Sequence, residues 1–227
     1  SYDKSLFGLS YYHSFSDKWS LKSSVFSNSK KAYEPRPFDI LDEKTNSFGF
    51  RSSLNYKSKL FSLPFESSIG SELLAENYEF SLTQNLYLSH PGQGSIAGSE
   101  FSNVKQNRNY INYFFEINIT LLENLYLESG LALNITKYTL EDVFNKTAAP
   151  TEQVFTFEKI WSPRLGISYQ LDPRKNIFSS ISKGFSVPLV SETLTPEGLI
   201  NTNLKPEVGT NYELGFKGHW YQSKLYT

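Results

Sequence analysis

The chain has 227 residues, with 22 Lys+Arg against 23 Asp+Glu. That balance leaves no basic stripe for a phosphate backbone, so nucleic acid is not an expected partner. Cysteine is absent, which removes disulfide frameworks, zinc–thiolate sites and thiol catalysis.

From the start of the chain the polarity alternates with period two. In "SLFGLSYYH" Phe7, Leu9 and Tyr11 fall on one face and Gly8, Ser10 and Tyr12 on the other. "FSDKW" reads as a tight turn, and "WSLKSSVF" resumes the rhythm. Phe48, Phe50, Ser52, Leu54 and Tyr56 then oppose Gly49, Arg51, Ser53 and Asn55. A charge, an amide and small groups on the second face do not suit a dry interior. In "NYINYFFEINIT" Ile111, Tyr113, Phe115, Ile117 and Ile119 oppose Asn112, Phe114, Glu116 and Asn118. This strand spans at least ~11 residues, about twice the usual length in soluble sheets and enough to cross a bilayer at a tilt. After a turn at Leu122–Asn124, Leu125, Leu127, Leu131, Leu133 and Ile135 continue the apolar face, and Glu128, Gly130, Ala132 and Asn134 the polar one. Leu165, Ile167, Tyr169 and Leu171 oppose Arg164, Gly166, Ser168 and Gln170 before "DPRKN" turns the chain. The returning "IFSSISKGF" does not declare its faces. In the last strand, Asn211 to Trp220, Tyr212, Leu214 and Phe216 oppose Glu213, Gly215 and Lys217.

This gives about nine strands. Short connections are expected at Ser14–Lys18, Ser58–Pro64, Leu122–Asn124 and Asp172–Asn176. Long polar ones are expected at Asn28–Lys44, Phe80–Asn107, Glu141–Gln153 and Phe185–Thr210. Strict alternation of short and long puts every long loop at one end of an up-and-down sheet, as in outer-membrane barrels. Aromatic residues make up 16% of a chain of negative mean hydropathy. No apolar run reaches the ~20 residues of a membrane-spanning helix. The expected fold is therefore all-β, an antiparallel up-and-down transmembrane β-barrel whose apolar face meets lipid. Trp19, Trp161, Trp220, Tyr56 and Tyr138, at or near strand ends, are the expected interfacial girdles. The alternative is a secreted soluble β-sheet domain that binds glycans or a protein partner, with the apolar face packed inward. No signal peptide or lipidation motif stands at Ser1 and no methionine opens the chain, so residues 1–227 are expected to be an internal barrel piece of a longer protein.

"KIWSPRLGISYQL", followed by "NIFSSISKGFSVPLVSETLTPEGLINTNLKPEVGTNYELGFKG", resembles the later barrel half of TonB-dependent outer-membrane receptors, most closely those for ferric siderophores. Gly184, Phe185, Pro188 and Glu192 match the upstream part of the pattern. Leu204, Lys205, Pro206, Glu207, Asn211, Tyr212, Glu213, Leu214 and Gly215 match the "LKPE" and "NYELG" parts. These residues read as architectural, with Pro206 fixing φ and biasing Lys205 to an extended conformation at the loop-to-strand junction. The resemblance implies a 22-stranded barrel in a Gram-negative outer membrane, filled by a plug domain that this chain lacks. It implies import of a ferric chelate or other scarce nutrient with energy delivered through TonB, and no enzymatic activity.

His13, His90 and His219 are scattered, without metal-ligand spacing, and no metal or other cofactor is expected. No G-x-S-x-G elbow is present, and "HPGQGSIAGS" reads as a flexible outer loop. Ligand contacts are expected from long-loop residues and inward upper-wall groups. Tyr33, Arg36, His90, Arg108 and Tyr110 are the candidates, because aromatic faces and guanidinium groups suit catecholate-like or carboxylate-bearing chelates.

Overall fold

The computed structural model describes residues 1–144, 152–188, 201, 203–220 and 225–226. Within them the chain is one antiparallel meander. Its strands are β1 (Tyr2–Ser14), β2 (Trp19–Pro35), β3 (Asp39–Leu60), β4 (Leu63–Asn85), β5 (Ala97–Leu122), β6 (Leu125–Asp142), β7 (Glu152–Thr156), β8 (Ile160–Asp172), β9 (Lys175–Ser186), β10 (Glu207–Trp220) and β11 (Leu225–Tyr226). Strands β7 and β8 lie end to end along β6, because Glu152–Thr156 pairs with Lys137–Glu141 and Ile160–Tyr169 with Leu125–Asn134.

Each residue pairs with one of the same face, so the alternation seen in sequence runs unbroken across the sheet. Phe115 lies beside Ile69 on one side and Leu131 on the other. This face is bare: Phe48 is 58% exposed and Ile69 59%. Gly49, Arg51, Glu72, Glu116 and Arg164 share the opposite face. Ser10, Lys22, Arg51, Glu116, Arg164 and Ser182, drawn from β1, β2, β3, β5, β8 and β9, line one hollow of about 720 Å³. Strands so far apart share a hollow only if the sheet curls with its polar face inside. The apolar face is convex, opposite to what a soluble sandwich or lipocalin-like barrel requires.

The outer edge of the apolar face also reports strand tilt. On β3 the outward residues change from Phe48 to Asn46, on β6 from Ile135 to Lys137, and on β10 from Tyr212 to Thr210. Through the pairing, Phe48 aligns with Lys137 on β6 (via Ala75 and Asn109), whereas Tyr212 aligns with Ser129 (via Ile181 and Leu165). The boundary thus slips eight residues along β6 between β3 and β10, on the order of one residue per strand step. With ~3.3 Å per residue and ~4.8 Å between strands this is a tilt of roughly 35–45°, the stagger a closed barrel needs.

Several expectations change. Strands β3, β4 and β5 have 22, 23 and 26 residues, far more than the ~9–11 that cross lipid. The expected loop at Asn28–Lys44 shrinks to Arg36, Pro37 and Phe38, and the one at Phe80–Asn107 to residues 86–96. Their Ser, Asn, Lys and Glu content reads as loop, but cross-strand pairing satisfies the backbone and the polar side chains simply stand in water. At the opposite end β3 turns through Phe61 and Ser62 alone, both at positive φ (49° and 72°), the conformation of a tight two-residue hairpin turn. Of the girdle candidates, Trp19 and Tyr56 pack against each other at the short-turn end, 4.4 Å between ring centroids with the ring planes tilted by 38°. Trp161 is exposed on the outward face where β8 begins. Tyr138 is no girdle residue: it is 1% exposed, on the inward face, with Phe157 edge-on at 5.3 Å.

Strand β9, unreadable from sequence, has Ile177 and Ile181 outward and Phe178 inward. Phe178 is accommodated because Gly215 faces it; a Cβ there would lie 2.2 Å from the ring. Gly49 does the same for Phe26 at 2.1 Å.

Candidate functional site

From the upper part of the apolar belt the strands continue into water, and their inward side chains form a polar wall. Register places opposite charges directly across from each other: Arg51 faces Glu72 and Glu76 faces Arg108. Arg51 Nε lies 3.0 Å from Glu72 and Arg108 Nη2 3.0 Å from Glu76. Lys30 pairs with Glu43, which also accepts a hydrogen bond from Tyr78 at 3.0 Å. Tyr110 donates to Glu72. Tyr138 donates to the Pro188 carbonyl at 2.9 Å, holding the start of the β9–β10 connection against β6. A small apolar cluster of Val104, Leu140, Phe80 and Phe155 packs on the same face.

The Lys30–Glu43–Tyr78 group lies beyond the lipid belt. Burial pushes Glu43 up, but its hydrogen bonds from Lys30 and Tyr78 outweigh that and hold the carboxyl below its ordinary value. The hydrogen bond and charge of Glu43 raise Lys30. Burial, reinforced by the Glu43 carboxylate, pushes the Tyr78 hydroxyl well up, so it stays a donor at any physiological pH. On β2 and β5, Asn28 Oδ1, Gln106 Oε1 and Arg108 Nε are buried without a hydrogen-bond partner, and such groups call for an explanation.

The five sequence candidates fall into three places. Arg108 and Tyr110 stand together on the inward wall of β5, in strand and not in loop. Arg36 occupies the β2–β3 turn, its Nε 2.9 Å from Asp39. His90 lies in the 86–96 connection, its Nδ1 3.2 Å from the Leu86 carbonyl. Asn85 ties these two connections together, donating to the Arg36 carbonyl at 2.8 Å and to Ser95 Oγ at 3.1 Å. Tyr33 pairs with Asp42 on the outward face of β2, away from the hollow. Sequence reading missed Lys30, Glu43, Glu72, Glu76 and Tyr78 as a group. Their signal is opposite charge at matched cross-strand positions, legible only once the register is known.

The motif residues occupy the β9–β10 junction. Gly184 and Phe185 pair with Gly209 and Val208, and Glu207 opens β10 directly after Lys205 and Pro206. The Leu204 amide donates to the Asn201 carbonyl at 3.3 Å. Asn211 pairs with Ser182, and Tyr212 and Leu214 face outward. Glu213 faces inward and accepts from Ser180 Oγ at 3.4 Å. Glu192 lies outside the described residues. Among the described residues, no three His or acidic side chains converge on a metal-sized site.

A convex apolar belt, a tilt of barrel type and a polar lumen wall that continues past the lipid describe a strand-crossing outer-membrane protein. The family model for the TonB-dependent-receptor-like β-barrel matches residues 1–227. The chain belongs to that family, whose members are receptors and transporters of the Gram-negative outer membrane. Its fold is similar to that of the alcaligin outer-membrane receptor FauA of Bordetella pertussis, at 15% identity and TM-score 0.73, covering 99% of this chain and 35% of that one. The siderophore receptor PiuA of Acinetobacter baumannii matches at 12% identity and TM-score 0.76, over 99% of this chain and 39% of that one. The copper transporter OprC matches at 16% identity and TM-score 0.71, over 96% of this chain and 37% of that one. The chain therefore spans a little over a third of the length of these solved structures. No curated protein sequence matches it.

Proposed function

We propose that this segment forms part of the wall of an outer-membrane receptor that captures a ferric-siderophore-like chelate outside the cell and passes it inward. The observation that carries the reading is the inward wall of β2 to β6, where tyrosines, amides and ion pairs continue from the lipid belt to the outer tips. A chelate descending the lumen meets such a wall before any other part of these strands. The solved relatives FauA and PiuA are an alcaligin receptor and a siderophore receptor, which supports an iron chelate, and OprC is a copper transporter, which makes metal delivery the broader class. In the complete receptor a plug domain fills the lumen and couples transport to TonB, the short-turn end facing the periplasm.

Two measurements test this. The complete receptor should partition into the outer membrane and migrate faster on gels before boiling than after; a soluble product with no such heat dependence ends the barrel reading in the cell. A deletion strain should lose growth on at least one ferric chelate supplied as sole iron source. Unimpaired growth on every chelate tried removes iron uptake and leaves another cargo.

A further inference from the structure

We infer that the ligand of this receptor is a chelate without net negative charge, of the kind in which hydroxamate oxygens cancel the ferric charge. Catecholate and polycarboxylate complexes, which keep an anionic surplus, are disfavoured. The inference rests on the chelate-uptake reading above and narrows its substrate class.

It follows from how this wall uses its cations. In the outer half of the lumen, each of Lys30, Arg36, Arg51 and Arg108 already faces a carboxylate: Glu43, Asp39, Glu72 and Glu76. Glu34 and Asp142 add two more carboxylates to the inward face of β2 and β6. Further in, Arg164 lies between Glu116 and Glu128, and Lys57 lies 2.9 Å from Glu66. A bound anion would have to displace a carboxylate that the strand register holds in place, or sit beside it and bear the like-charge repulsion. Lys4 and Lys22 also face inward, outside these ion pairs, but with Glu34 and Asp142 present the wall as a whole carries no positive surplus to draw an anion down.

What the wall offers instead is uncharged. Tyr78 and Tyr110, both half-buried on the inward wall, provide ring faces. The apolar linkers of a neutral chelate are complementary to such rings.

The test uses the complete purified receptor and three ferric probes: a trihydroxamate, a tris-catecholate and citrate. Binding is followed by fluorescence quenching at about 50 mM and about 500 mM NaCl, salt concentrations over which exposed charge attraction is strongly screened. The trihydroxamate should bind at least about tenfold tighter than either anion, with a Kd that moves less than about twofold with salt. If an anionic probe binds tightest and weakens sharply with salt, the inference falls while chelate uptake stands. If no ferric probe binds, the uptake reading itself falls. Glu76→Gln, which releases Arg108, should narrow the preference against anions roughly tenfold. An unaltered preference, in a variant that keeps the heat-dependent gel mobility of the parent, counts against the charge-cancelled wall.

Discussion

Glu43 shows how one carboxylate can serve two strands. It holds Lys30 of β2 and Tyr78 of β4 from β3, and its folded pKa is lowered. A lowered carboxylate stabilises the fold fully above its unfolded value near 4.5, and that contribution disappears as pH falls through the folded value. Glu43→Gln should therefore cost about 1–3 kcal/mol at neutral pH. The gap between parent and variant in urea titrations should close as pH drops below 4.5; a gap independent of pH would mean that the carboxylate's charge plays no part. Gly49 makes a steric counterpart. Its Cβ would lie 2.1 Å from the Phe26 ring, so Gly49→Val should destabilise by about 1–3 kcal/mol. Adding Phe26→Ala should recover a good part of that loss in the same titration, and two losses that merely add would show the contact to be unimportant.

At the level of the strand, the inside and outside faces obey opposite rules. Ile69 lies in mid-belt on β4, flanked by Leu54 and Phe115, and its side chain meets lipid. Ile69→Arg should cost about 2–4 kcal/mol in vesicle refolding. Ser68→Arg, one residue away on the lumen face, should cost far less; equal costs would contradict the assignment of faces. This inside–outside alternation was legible from residues such as Phe48, Arg51 and Ile111 without coordinates. Strand length was not. Asn28–Pro35 alternates polar with polar once it leaves the lipid, so no hydrophobic rhythm marks it as strand, whereas Tyr78, Phe80 and Leu82 keep period two but on the inward face. Their sheet structure comes from neighbours with which they exchange hydrogen bonds and ion pairs. Tyr138 misled for a related reason: a tyrosine near a strand end fits a girdle, and only the register reveals which way it points.

For the molecule as a whole, the family pattern at Lys205–Gly215 and the period-two alternation of polarity carried the architecture, whereas the expected alternation of short and long connections fails at the three-residue turn Arg36–Phe38. The wall of the candidate site stayed hidden, because its pairs come from residues separated by 13 to 38 positions. Among the five candidates, the two that share the wall, Arg108 and Tyr110, were chosen by residue type alone. The same criterion also selected Tyr33, whose side of β2 is the outer one. Residue type proposes a ligand surface, and pairing decides which residues belong to it.

The uninterrupted pairing of β3 with β4, from Leu60–Leu63 at one end to Asp39–Gln84 at the other, makes the outermost turn an extension of a stiff ribbon. Binders raised against a free peptide copy of Pro35–Asp39 should recognise boiled receptor better than intact cells, because the native epitope exists only as that ribbon's fixed bend, braced by Asn85 of the adjoining strand.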